Sequence, residues 1–380
     1  MQKKLLLSPG PTPVPSEALL AMAQPIVHHR TPEFTEILNQ VQEGLKYLFQ
    51  TEQDVLVIAG SGTAAMEAAV SNILSPGDTA ICIRGGKFGE RWAELCTAYG
   101  VNTINIDVEW GKALDPKVLE DHLSKNTDVK AVYTTMSETS TGVRFDIEAF
   151  ARIVSRHPGT VLVVDAITAV GVMDVPMDRW GVDVLVCGSQ KALMLPPGLA
   201  FISLSEKAWK AAESSTCPKY YLNLKKEKKN LAKGQTAYTP AVSLIVGLNE
   251  TLTMIREEGL TNVFKRHATL AAATRAACQA LGLKLLAKDS PSDAVTAVLA
   301  PEGTDASQII KKMKGKYGMI IAGGQEHLKG KIFRIAHLGY FDKSDIFSAI
   351  AHLELSLKEL GIPAKPGAGI AAAEQVFLAE

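Results

Sequence analysis

The chain is short of the features that mark several protein classes. Its five cysteines, Cys82, Cys96, Cys187, Cys217 and Cys278, form no CxxC pair and are odd in number, which fits reduced structural thiols rather than a disulfide framework. Its eight histidines fall in no HExxH or comparable ligand spacing, so no metal site is expected. Lys plus Arg and Asp plus Glu are both 40, so no overall field draws in nucleic acid or an anionic membrane. The KKEKK run from Lys225 to Lys229 is read as a solvated loop. Near the start, MQKKLLLSPGPTP has three leucines, but Pro9, Pro11 and Pro13 interrupt it before a signal core or membrane span could form. A cytoplasmic location is the expectation.

What is present is material for a large core. With 380 residues, 47% of them hydrophobic, the chain should form two or three domains at roughly 100–200 residues each. Short β-rich runs alternate with helical stretches: residues 55–59, 79–83, 102–106, 129–135, 160–166, 182–188 and 199–204. Seven such strands, several apolar throughout, predict an α/β fold with a mostly parallel sheet and helices on both faces. After Pro240 one long helical region is predicted through about Leu281. A smaller αβ pattern follows, with strands near 294–299, 318–322 and 331–336 and a last helix near 343–360. The expected division is an N-terminal arm over 1–15, a large domain over 16–255, a small C-terminal domain over 256–361 and a tail over 362–380. The tail is either a docking segment or disordered.

The stretch VLVIAGSGTAAMEA, Val55 to Ala68, places a Gly-rich corner between a strand and a helix. A helix starting near Thr63 would aim its free N–H groups and dipole at Ser61, Gly62 and Thr63, a setting for any phosphate. The GxGxxA spacing also fits a dinucleotide fold, which needs an acid at the end of the next strand. That strand ends Ile83-Arg84-Gly85-Gly86; no acid stands there, although Arg84 would suit an NADP version. A bare turn without ligand remains a third reading.

Two stretches decide among these readings. VLVVDAITAVG puts Asp165 at the carboxyl end of a buried strand, and VLVCGSQKALMLPPG puts Lys191 just after the next one. Ligands in open α/β sheets bind at those ends. A buried carboxylate there needs a cation, and a lysine entering an apolar loop needs a lowered pKa or a covalent partner. Pyridoxal 5'-phosphate asks for both, together with a helix N-terminus for its phosphate.

With LLLSPGPTPVP, AGSGTAAMEA, GGKFGERW, SETSTGV, VVDAITAVG, GSQKALMLPPG and FRIAHLG in this order, nearly the whole chain resembles the class V, fold-type I aminotransferases, in particular the alanine–glyoxylate and serine–pyruvate group. The resemblance implies that Lys191 forms the Schiff base with pyridoxal 5'-phosphate and Asp165 pairs with the pyridinium. It implies that Ile167 packs on one ring face and Phe88 on the other, that Thr139 bonds the ring-hydroxyl side, and that Gln190 joins Ser61, Gly62 and Thr63 around the phosphate. Tyr238 and Thr239 resemble the segment that reaches the phosphate from the other subunit of a homodimer. Arg334, in KIFRIA, matches the arginine that takes the substrate α-carboxylate; an interdomain salt bridge is the other reading. Arg30 either reads a second carboxylate, which would favour aspartate, or is structural.

The implied reaction moves an amino group from serine or alanine to glyoxylate or pyruvate by a ping-pong route. An aspartate-using enzyme, a lyase of the same fold and an NADP-dependent oxidoreductase are the alternatives. A cysteine desulfurase fits poorly, because no cysteine lies near 320–330 and Gln190, not histidine, precedes the lysine.

Overall fold

In the computed structural model the described residues are 3–379, so residues 1–2 of the expected arm and residue 380 of the expected tail lie outside them. The seven apolar runs form one seven-stranded sheet. Across it the strands follow the order Val55–Gly60, Gly198–Leu204, Val184–Gly188, Val161–Asp165, Val129–Thr135, Thr79–Arg84 and Asn102–Asp107. All neighbours run parallel except Gly198–Leu204, which is antiparallel to both strands beside it.

Successive side chains of a strand point to opposite faces, and both faces here are covered. Ile81, Ile83, Val132, Leu162, Val164, Leu185 and Phe201 enter one core, with the helices Pro32–Phe49, Ile147–Val154 and Val242–Glu258. Ala80, Cys82, Tyr133, Val163, Val186 and Ile202 enter the other, with Gly62–Ile73, Lys87–Ala98 and Glu206–Ser214. That double burial is why these strands read as continuous apolar runs.

The C-terminal part carries an antiparallel sheet ordered Val295–Leu299, Ile332–Ala336, Ala322–Gly323. Leu5–Leu6 near the N-terminus pairs parallel with Met319–Ile320. The single strand expected over 318–322 is therefore two short ones that serve different sheets.

Two further expectations are corrected, and the open one about the tail is resolved. The helical region after Pro240 is two helices, Val242–Glu258 and Leu260–Ala280, broken at Gly259, whose φ of 80° is left-handed. The KKEKK segment is the helix Leu224–Leu231 rather than a loop: Asn223 caps it by accepting from the Lys226 N–H, and Lys228 lies 4.2 Å from the Trp209 ring centroid. Of the two readings of the tail, docking holds, since the helix Ala368–Leu378 buries Ala373 and sets Phe377 edge-on to Phe347.

Candidate active site

Each side chain of the candidate site is fixed by where a strand of the large sheet ends. Asp165 is the last residue of its strand, 3% exposed, with the Ile167 N–H donating to its Oδ1 at 2.9 Å. Lys191 lies in the tight connection from Val184–Gly188 to the antiparallel Gly198–Leu204. Ser189 holds that connection closed: its hydroxyl donates to the Pro196 carbonyl and accepts from the Leu199 N–H. The helix Gly62–Ile73 begins beside them, and the Ser61 side chain is not spent on capping it.

These parts enclose a cavity of about 430 Å³ including its open mouth. Ser61, Gly62, Thr63, Phe88, Thr139, Asp165, Ile167, Gln190 and Lys191, all expected from the sequence, line it. Arg91, Ser137 and Thr168 line it too and were not expected. Arg334 is 6% exposed; its Nε donates to the Gly323 carbonyl at 2.9 Å and an Nη to the Thr139 carbonyl at 2.7 Å. No carboxylate pairs with it among the described residues, which removes the interdomain salt-bridge reading.

Tyr238 and Thr239 are not brought to Lys191 within the chain. They line a separate cavity with Tyr221 and Glu227, and the Tyr238 hydroxyl donates to the Tyr220 carbonyl at 2.7 Å. Arg30 is held beside them by Gln235 Oε1 and the Thr236 carbonyl. Arg84, the residue suited to an NADP phosphate, is engaged side by side with Asp107 at 2.7 and 2.8 Å, which removes the support for the dinucleotide reading.

Burial perturbs Asp165, Lys191 and Arg334. It raises Asp165 to about 7, helped by the Glu138 carboxyl and opposed by the Ile167 N–H, Arg91 and Lys191. It lowers Lys191 to about 8, with Arg334 and Arg91 pushing the same way and Asp165 against. Desolvation also brings Arg334 down to about 10, against the pull of Glu138. The Lys191 amine donates to the Pro9 carbonyl at 2.5 Å, so the N-terminal arm closes over it. A Cβ on Gly10 would lie 2.1 Å from Lys191 Nζ.

Glu138 is a structural centre that no sequence signal marked. Fully buried, it accepts the N–H groups of Phe88 and Gly89 at one oxygen and the Ser140 N–H and hydroxyl at the other. The helix Lys87–Ala98 has no side-chain cap of its own. Glu138 supplies one from another segment, and Gly86 permits its approach, because a Cβ there would lie 2.4 Å from Glu138 Cγ. This anchor sets the position of Phe88 and Arg91.

The cavity fits pyridoxal 5'-phosphate. Gln190 Oε1 is buried with no protein partner, which suits a polar group brought by a ligand. Gly62 leaves the helix start bare, and Ile167 lies close enough that a Cβ on Gly62 would be 2.5 Å from its Cδ1. A carboxylate, a primary amine and a helix N-terminus line this one cavity, the three groups that the cofactor's ring nitrogen, aldehyde and phosphate require.

A family model described as "Aminotransferase class-V" matches residues 5–336. A Synechococcus sp. (strain PCC 6716) protein described as "Soluble hydrogenase, small subunit" is 48% identical, covering 99% of this chain and 98% of that one. The L-aspartate–glyoxylate aminotransferase of Paracoccus denitrificans is 39% identical over 97% of this chain and 95% of its own. The serine–glyoxylate aminotransferase of Methylorubrum extorquens is 38% identical over 97% and 94%. Among solved structures, ureidoglycine–glyoxylate aminotransferase from Bacillus subtilis superposes with a TM-score of 0.95 at 29% identity, covering 99% of this chain and 98% of that one.

Proposed function

The chain belongs to the class-V aminotransferase family, and from that premise we propose that it carries an amino group from a small amino acid, serine or alanine, to a 2-oxo acid, glyoxylate or pyruvate. Its cofactor is pyridoxal 5'-phosphate, and its substrates are an amino acid and a 2-oxo acid. One observation carries the reading: Lys191, Asp165 and a bare helix start line one cavity, with the unpaired Arg334 guanidinium bonded to its wall at Thr139.

The cofactor, when bound, supplies an aldehyde to take up the amino group and a ring to accept the electron pair left on the substrate carbon. Asp165 holds a proton at the ring nitrogen, for which its burial leaves no other cation in contact. Lys191 moves the α-proton; its amine, lowered toward about 8 by burial, is a competent base near neutral pH. Arg334 has given one Nη and its Nε to carbonyls, and its remaining N–H groups dock the substrate carboxylate. Phe88, Ile167 and Thr139 line the cavity; Phe88 and Ile167 would pack on the two faces of the ring and exclude water, and Thr139 would bond its hydroxyl side. Ser61, Gly62, Thr63 and Gln190 hold the phosphate end.

Glyoxylate appears in the names of the two aminotransferase relatives and of the superposed structure, which supports it as acceptor. The donors named differ. A single carboxylate-docking guanidinium bonded to the cavity wall suits serine or alanine, which carry one carboxylate. The hydrogenase description stays with the relative that bears it. Among the described residues no group of three or more His, Cys, Asp or Glu is placed to hold a metal ion.

A homodimer belongs to this reading. Tyr238 and Thr239 lie away from the chain's own cavity, and Leu19, Leu20, Ile26, Tyr220 and Tyr221 are exposed, as befits residues that serve and cover a second copy. Sedimentation should give twice the chain mass. For the reaction, the protein loaded with pyridoxal 5'-phosphate is given L-serine, L-alanine and L-aspartate in turn with glyoxylate. The visible band should shift with serine or alanine, and glycine should form. A parent protein whose spectrum no amino acid changes would overturn the proposal.

A further inference from the structure

In the GGKFGERW segment the arginine, like Phe88, faces the cavity. Arg91 lies one helical turn after Phe88, with its guanidinium 4.9 Å from that ring's centroid, and it donates to Thr63 Oγ1 at 3.2 Å. It thus bridges the ring wall to the corner where the helix Gly62–Ile73 begins. Among the described residues no carboxylate pairs with it, although its neighbour Glu90 is on the same helix.

The charge at that corner is incomplete without it. A phosphate monoester carries about −1.5 to −2 at neutral pH, whereas a helix start offers roughly half a positive charge. Ser61, Gly62, Thr63 and Gln190 are neutral. Among the described residues Lys191 and Arg91 are the only cations lining the cavity; Lys191 is turned to the Pro9 carbonyl, and Arg334 outside the lining is turned to Gly323 and Thr139. We propose that Arg91 is the cationic ligand of the cofactor phosphate, its planar fork reaching an anion seated at Ser61, Gly62 and Thr63. The proposal rests on the aminotransferase reading of the cavity and adds a residue to it. Stacking on Phe88 and the bond to Thr63 fix the guanidinium plane in advance, so little freedom is lost when the anion arrives.

The test compares pyridoxal 5'-phosphate with pyridoxal, which keeps the aldehyde and ring and lacks the phosphate. Each is titrated by protein fluorescence into the cofactor-free parent, Arg91→Met and Arg91→Lys. Loss of a charge-assisted contact should weaken pyridoxal 5'-phosphate roughly 10- to 100-fold in Arg91→Met, and less in Arg91→Lys. Pyridoxal affinity should stay within about twofold of the parent. Inorganic phosphate should raise the melting temperature of the cofactor-free parent, and this rise should be smaller in Arg91→Lys and absent in Arg91→Met. Equal weakening of both aldehydes would mean that Arg91 only holds Phe88 and Thr63, and would overturn the proposal. An unchanged affinity for pyridoxal 5'-phosphate would overturn it as well. If Arg91→Met does not fold, the parent and Arg91→Lys decide: no phosphate effect on the parent, or an undiminished one in Arg91→Lys, refutes it. A parent that binds neither aldehyde would fail the aminotransferase reading itself.

Discussion

Asp165→Asn should make the cofactor-free protein more stable while removing its function. Burial raises the Asp165 carboxyl from 3.8 to about 7. A folded-state pKa above the unfolded value means that the folded state binds the extra proton between those pH values. Unfolding free energy therefore falls as pH rises through that window, and the loss is complete above about pH 7. At 1.36 kcal/mol per unit, the cost is about 1.6 kcal/mol at pH 5 and about 4 kcal/mol at pH 8. Asparagine keeps the shape and still accepts the Ile167 N–H, but carries no charge to desolvate. Urea unfolding of the cofactor-free parent and variant at pH 4, 5, 6 and 8 reads the difference directly. The curves should coincide near pH 4 and diverge to about 4 kcal/mol by pH 8. With pyridoxal 5'-phosphate bound, the order should reverse, because the ring cation offsets the parent's buried charge and finds none in the variant. A variant no more stable than the parent at pH 8, or a gain equal at pH 4 and pH 8, would refute the reasoning.

Gly10→Ala places a Cβ 2.1 Å from Lys191 Nζ on a backbone with φ of 150°; the amine must leave the Pro9 carbonyl, and competitive acetylation of the cofactor-free protein should show altered Lys191 reactivity with the overall fold retained by circular dichroism. Arg334→Lys replaces a fork by a point charge and should lower kcat/KM for amino donors roughly 30- to 100-fold, chiefly through KM; an unchanged KM would contradict carboxylate docking. His267 is buried with Nε2 accepting from the Gly339 N–H, so Nδ1 carries the proton toward the Val263 carbonyl, and burial lowers its pKa to about 3. Its contribution is present above pH 6.5 and lost as pH falls toward 3, by up to roughly 4–5 kcal/mol. His267→Gln should flatten the pH dependence of unfolding over that window, and an unchanged slope would count against it.

The large sheet was legible because its strands are buried on both faces. Runs such as VLVV and VLVC have no polar alternation to confuse with a surface strand, and Asp165 and Lys191 stand out as charges where such runs end. The rest depended on contacts that no local pattern announces. Glu138 caps a helix about fifty positions before it, and nothing in SETSTGV indicates that its carboxylate turns to the Phe88 and Gly89 N–H groups. Arg91 reads as one charge of an amphipathic helix until Thr63 is seen beside it. The lysines of KKEKK suggested solvent, but the ammonium groups of Lys226 and Lys228 lie over aromatic rings, and Leu224 and Leu231 at heptad spacing carry the helical signal. In the long helical region, apolar spacing continued past Gly259 and hid the break.

The N-terminal arm joins the strand that carries Arg334 to the loop that carries Lys191, two parts of the chain that are far apart in sequence. Leu5 and Leu7 donate to the Gly318 and Ile320 carbonyls, and the Leu7 carbonyl accepts from the Ala336 N–H, two residues beyond Arg334. The Pro9 carbonyl then holds the Lys191 amine, while the Thr12 N–H and hydroxyl bind the Gln190 and Lys191 carbonyls. Thus six residues, Leu7 to Thr12 with the bend at Gly10 between, tie the strand that carries Arg334 to Lys191. Prolines at 9 and 11 reduce the freedom of this connection in the unfolded chain, so its order costs less. The small sheet and the Lys191 loop are thus joined through this segment by backbone bonds, Ala336 N–H to the Leu7 carbonyl and Thr12 N–H to the Gln190 carbonyl. The proline- and glycine-rich arm that breaks the leucine run near the start of the sequence is, in the folded chain, the strap across the site.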